Sequence, residues 1–251
     1  MESRHARNGS WKRGLLASAV LAVTLASGSA WGGFISFTAS GSDVDGPLSA
    51  QADFTTSAGQ VFVTLTNTLD IADLISAGQA LSDISFELVD GTVGTVGVNS
   101  GSGQFGNLAD TGGVVTYVAA DAETGQTSPL RWINGPNATY SGTSVTLEAI
   151  GGGQPSQMII PFVADAGTYP SVNNGFDNFN SYLIGPASFT LLLSGVTDAT
   201  TIADVVFSFG TTPDTFIPGV PVPTPGVPEP GSLALIALGL IGLAATRFKR
   251  S

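Results

Sequence analysis

The sequence contains no cysteine, and its one histidine is His5. From residue 31 to residue 227 there is no lysine and a single basic side chain, Arg131. Each absence removes a class of chemistry. Without cysteine no disulfide supports the fold, so stability must come from buried apolar surface. Without histidine in the body of the chain, Ser-His-Asp and Cys-His centres, His-ligated zinc and an imidazole general base are excluded there. The lack of lysine removes Schiff-base and Ser-Lys mechanisms as well. What survives is carboxylate chemistry, either a two-acid glycosidase or a metal held by Asp and Glu.

Acidic side chains, by contrast, are plentiful. Seventeen Asp and Glu lie between Asp43 and Asp214, which gives residues 31–227 a net charge of −16. Such a surface repels phosphate backbones, so nucleic acid is not an expected partner. Disorder is not expected either, because apolar residues recur in blocks throughout. Roughly 180 residues suffice to enclose one core as a single domain.

The blocks have period two. Val61, Val63 and Leu65 alternate with Phe62, Thr64 and Thr66, and Ile84, Phe86 and Leu88 with Ser85 and Glu87. The same pattern marks Val145 and Leu147, then Phe189, Leu191 and Leu193, then Val205, Phe207 and Phe209. Short Val-, Phe- and Thr-rich runs separated by Gly, Asn, Asp and Pro read as strands. Nine or ten of them predict an all-β antiparallel sandwich. The 3–4 spacing of Ile71, Leu74, Ile75 and Gly78 predicts one or two helical turns at its end. Gly91 to Gly113 reads as a hairpin or surface loop.

Both termini carry addresses. Arg4, Arg7, Lys12 and Arg13, then the apolar run Gly14–Leu25, then the small residues Ser27–Ala30, have the three-part form of a secretory signal peptide. The expected cut falls between Ala30 and Trp31, which makes signal peptidase a partner. At the other end Val227-Pro228-Glu229-Pro230 precedes Gly231-Ser232 and an uncharged Leu-, Ile- and Ala-rich run to Ala245. Arg247, Lys249 and Arg250 follow, a cluster that resists translocation. Pro228 and Pro230 keep the start of the tail out of a helix and within reach of a protease. The apolar run is shorter than the ~20 residues a bilayer crossing requires, which suits a temporary anchor.

This ordered tail resembles the PEP-CTERM sorting signal of bacterial exported proteins. The resemblance implies an exosortase that cuts the tail, a transient hold in the inner membrane through the C-terminal apolar helix, and delivery to the cell surface or extracellular matrix. It also implies association with exopolysaccharide and biofilm. The stretches Leu81–Leu88 and Phe189–Gly210 are similar to the β-rich domains that precede such tails, a likeness that implies an all-β architecture and carries no active-site motif. The expected organisation is therefore a signal peptide at 1–30, a β-sandwich at 31–216, a Pro-rich linker at 217–227 and the sorting signal at 228–251.

Two polar loops are candidate sites. Asn173–Asn180 offers Asn174, Phe176, Asp177 and Phe179, with Tyr182 close behind, where aromatic rings would stack on sugars and amides would bond hydroxyls. Asp43-Val-Asp45-Gly46 places two carboxylates before a turn-forming glycine and is a candidate Ca²⁺ site, although the full twelve-residue calcium-loop pattern is absent. No cofactor is otherwise expected. Glu87, Glu123 and Glu148 are the Glu residues of the domain, and no spacing singles out a pair, so no catalytic residue is expected. A non-catalytic surface protein is the leading reading. A carbohydrate-binding module is the alternative, followed by a two-carboxylate glycan enzyme.

Overall fold

The computed structural model describes residues 33–109, 112–118, 130–133, 135–151, 154–212 and 215–223. The signal peptide, Ala30 and Trp31, Glu123, the Val227–Pro230 motif, the apolar tail and its basic end lie outside the described residues. Among the described residues no helix is long and apolar enough to cross a membrane.

The first half of the chain forms β1 (Ile35–Asp43), β2 (Gly46–Ser57), β3 (Gln60–Asn67), β4 (Leu81–Val89), β5 (Ser100–Ser102), β6 (Phe105–Leu108) and β7 (Val115–Val118). The second half adds β8 (Ala138–Ser141), β9 (Ser144–Glu148), β10 (Ile159–Ile160), β11 (Tyr182–Ile184) and β12 (Ala187–Leu192). It ends with β13 (Thr201–Phe209), β14 (Thr215–Pro218) and β15 (Val220–Val222). The described residues form an all-β fold, as expected. Six strands make one sheet in the order β15-β1-β2-β3-β12-β5. The other runs β14-β13-β4-β10-β11-β6-β7, with β9 paired to β4 and β8 paired to β9.

Alternation decides which side chains enter the core. Leu48, Ala50, Ala52 and Phe54 of β2 are buried, as are Val61, Val63 and Leu65 of β3. From the other sheet come Ile84, Phe86 and Leu88 of β4 and Val205, Phe207 and Phe209 of β13. The two inner faces meet where Phe54 packs edge-on against Phe86, ring centroids 4.9 Å apart. All these residues belong to one continuous buried cluster.

Several expectations need correction. Pairing is antiparallel except between β10 and β11, which run parallel, Ile159 opposite Leu183. Of the one or two helical turns expected around Ile71–Gly78, the structure has a single short 3₁₀ turn, Ala77–Gln79, at the end of that span. The glycine-rich stretch after Gly91 supplies β5 and β6. Residues 217–222, expected as a free linker, are extended but paired within the sheets. Ile217 lies opposite Phe207, and Pro221 opposite Phe37. Proline has no N–H to give to a ladder, which confines such a segment to edges. β14 and β15 are edge strands, one in each sheet.

The Phe54–Phe86 contact is the test of this core. Phe54→Ala is expected to lower stability by about 3–5 kcal/mol, read as a fall in Tm of roughly 10 °C in thermal unfolding. A loss below about 1 kcal/mol would mean that the two sheets are not joined there.

Candidate functional site

The turn between β1 and β2 is built by its own side chains. Asp45 N–H donates to Asp43 Oδ1 at 2.8 Å, and Gly46 follows at φ 124°, where a side chain would be strained. The carboxylate of Asp43 is thus engaged by the turn. Asp45 instead lines a shallow depression of about 340 Å³.

A buried amide fixes the opposite wall. Gln79 Oε1 accepts from the backbone N–H of Ile75 at 2.6 Å and of Ser76 at 3.2 Å. Its Nε2 donates to the carbonyls of Pro47 and Asp73, each at 2.9 Å. One side chain therefore ties the β1–β2 turn to the segment 73–76. Ser76 Oγ accepts from Gly78 N–H at 3.0 Å and closes the cap of the 3₁₀ turn. A Cβ at Gly78 would lie 1.9 Å from Asp45 Oδ2, so a side chain there would displace the carboxylate.

The loop 173–179 closes the rim. Asn173 N–H donates to Ile75 O at 2.7 Å, which docks the loop on the Gln79-anchored segment. Two of its expected stacking rings are committed elsewhere. Phe176 and Tyr182 are buried, with centroids 4.8 Å apart, and Tyr182 Oη donates to Phe176 O at 2.8 Å. They anchor the loop and offer no ring face to solvent. Burial, and secondarily the charge of Asp177, pushes the Tyr182 phenol well above its ordinary range. Asp177 is half-buried and does not line the depression, whereas the exposed Asn174 and Asn178 and the half-buried Phe179 do. The two candidate loops, over a hundred residues apart in sequence, are thus neighbours in the fold.

Other polar groups found different places. Among the described residues Arg131 makes no ion pair; its guanidinium donates to Gln154 O and Gly151 O, each at 2.7 Å, and to Ser156 Oγ at 2.8 Å. Partial burial lowers its pKa, opposed by the nearby charge of Glu148. Trp132 is fully buried against Phe189 and donates its Nε1 hydrogen to Gln157 O at 2.7 Å. Among the described residues no three His, Cys, Asp or Glu side chains gather to hold a metal ion.

Sequence reasoning missed one acid pair. Asp83 of β4 lies directly opposite Glu148 of β9, and on its other side opposite Ser208 of β13. Burial, then the Glu148 charge, pushes the Asp83 carboxyl up to about 7. Only the register brings these acids together, and neither lines the depression.

The fold and its tail address define a class, an exported all-β protein carrying a C-terminal sorting tail. Residues 226–250, about a tenth of the chain, match the family model of the PEP-CTERM protein-sorting motif. The chain is therefore an exosortase-sorted exported protein, directed to the cell surface. No curated protein and no solved structure matches it.

Two predictions arise here. Gln79→Ala strands two carbonyls and two N–H groups and should cost about 3 kcal/mol, measured by denaturant unfolding. The second concerns pH. The folded domain keeps a proton on Asp83 that the unfolded chain, with its carboxyl near 3.8, has already released by neutrality. The stability tied to this group is complete below the unfolded value and is lost as pH rises through about 7. Asp83→Asn should flatten that fall and raise Tm at pH 8 by about 5 °C, roughly 2 kcal/mol. An unchanged Tm–pH profile would contradict the environment described for Asp83.

Proposed function

We propose that the protein is a non-catalytic component of the cell surface or extracellular matrix whose folded domain meets exopolysaccharide. The observation that carries this reading is the position of the tail relative to the sheets. β15 ends at Val222, and the sorting motif begins at residue 226. A cut at Pro228–Pro230 therefore removes none of the fifteen described strands, so processing would release the two sheets intact. The apolar run would hold the chain in the inner membrane until that cut, with Arg247, Lys249 and Arg250 on the cytoplasmic side.

The residue inventory supports a binding or structural role. Between residues 31 and 227 no histidine, cysteine or lysine is available for general-base or nucleophilic chemistry. Repulsion by the acidic surface keeps such a domain soluble and off anionic lipid once released.

Mass spectrometry of the surface-released form tests the reading at both ends. The expected product begins at Trp31 and lacks residues 231–251. Glu229→Ala or Pro228→Ala should leave the full tail in the membrane fraction. Surface material that still carries Arg247–Ser251 would overturn the proposal.

A further inference from the structure

β1 gives the domain two identifiable poles. Its first residues pair with the last strand, Ser36 opposite Val222, so the described chain enters and leaves at one end. Its last residue, Asp43, pairs with Gly46 across the turn that carries Asp45. The nine residues of β1, at about 3.3 Å per step, separate these ends by roughly 26 Å. β13 ends at the Asp45 pole as well: Gly210 packs on Gly78, and Thr211 lines the depression. The chain then runs back through β14 and β15 to the pole where it began.

We infer that this depression is a binding site for an uncharged polyhydroxyl chain, such as a neutral polysaccharide, presented at the pole opposite the one where β15 ends. The chemistry of the lining selects that class. Among the described residues the Asp45 carboxylate and the side-chain amides of Asn174 and Asn178 have no protein partner. A carboxylate accepts, and an amide both donates and accepts, which matches the paired donors and acceptors of adjacent hydroxyls. Half-buried Phe179 adds an apolar surface for the C–H side of a ring. Acidic polymers are disfavoured by the charge of −16, and the one cation that could attract them, Arg131, is occupied by backbone carbonyls.

This assignment rests on the reading of the protein as a surface or matrix partner of polysaccharide, and the test separates the two. The processed surface form is run in native gels containing dextran, galactomannan, β-glucan or, as the anionic control, alginate. Retardation is expected in at least one neutral gel and not in alginate. Asn174→Ala/Asn178→Ala should weaken the apparent affinity at least tenfold with an unchanged Tm. Gly78→Ala, which pushes on the Asp45 carboxylate without deleting any group, should weaken it as well. Full retardation of the double variant in the neutral gels would overturn the site and leave the polysaccharide reading standing. Retardation of the wild type in no gel would overturn both, and retardation in alginate alone would overturn the ligand class.

Orientation has its own readout. Val44 is fully exposed at the turn, and Val220 is exposed beside the exit. Because the chain has no cysteine, Val44→Cys and Val220→Cys each give one thiol. In the unprocessed, membrane-held form a bulky maleimide should label position 44 at least tenfold faster than position 220. Equal rates would overturn the polar arrangement.

Discussion

The side-chain amide of Gln79 is the constraint on which the candidate site depends. A buried amide must satisfy its donors and acceptor inside the protein, since water cannot reach it. Gln79 does so by reaching Pro47, Asp73, Ile75 and Ser76 at once. Its backbone carbonyl also accepts from Asn67 Nδ2 at 2.9 Å, while the same amide of Asn67 donates to Ile159 O at 3.2 Å. Two polar residues thus join the first sheet, the β1–β2 turn and the second sheet at one pole. The depression is the outside of this knot, which explains why residues as distant as Asp45 and Asn174 share a wall.

How much of this was legible in the sequence depends on the range of the interaction involved. Alternation is local, so Val61–Leu65, Ile84–Leu88 and Val205–Phe209 could be assigned as strands with the correct inward faces. Register is not local. Nothing in the letters Ser82-Asp83-Ile84 says that Glu148 will stand opposite Asp83. The Pro-rich stretch 217–222 reads as a linker for a related reason. Proline does signal extended backbone, but an edge strand and a free linker share that preference, and only the partner strand tells them apart. For Phe176 and Tyr182 the composition was right and the direction unknown: a loop that needs aromatic anchors looks like a loop that displays them. Gln79, in a segment that reads as weakly helical, carried no signal of its role, because its partners lie both in its own loop and in another hairpin.

Charge and topology act on the same problem from different sides. The acidic surface keeps the exported domain apart from phosphate and anionic lipid, while the tail supplies the only apolar and basic elements at its C-terminal end. Once the tail is removed, what remains is defined by its sheets and by the groups they leave unsatisfied. The absence of disulfides places the whole burden of stability on the Phe54–Phe86 core and its surroundings, and on polar knots such as that of Gln79.

The pairing of β1 with β15 also bears on the order of events during export. β1 is the first strand of the described chain, yet the edge of its sheet stays open until Val220–Val222 arrive some 180 residues later. Contacts so far apart in sequence close slowly, since the loop entropy must be overcome before the pairing contributes anything. Under the membrane hold proposed above, a chain stalled with its tail in the bilayer would already have delivered that last strand. Such a hold would give the domain time to zip shut before release, so that it departs without a naked sheet edge to recruit its neighbours.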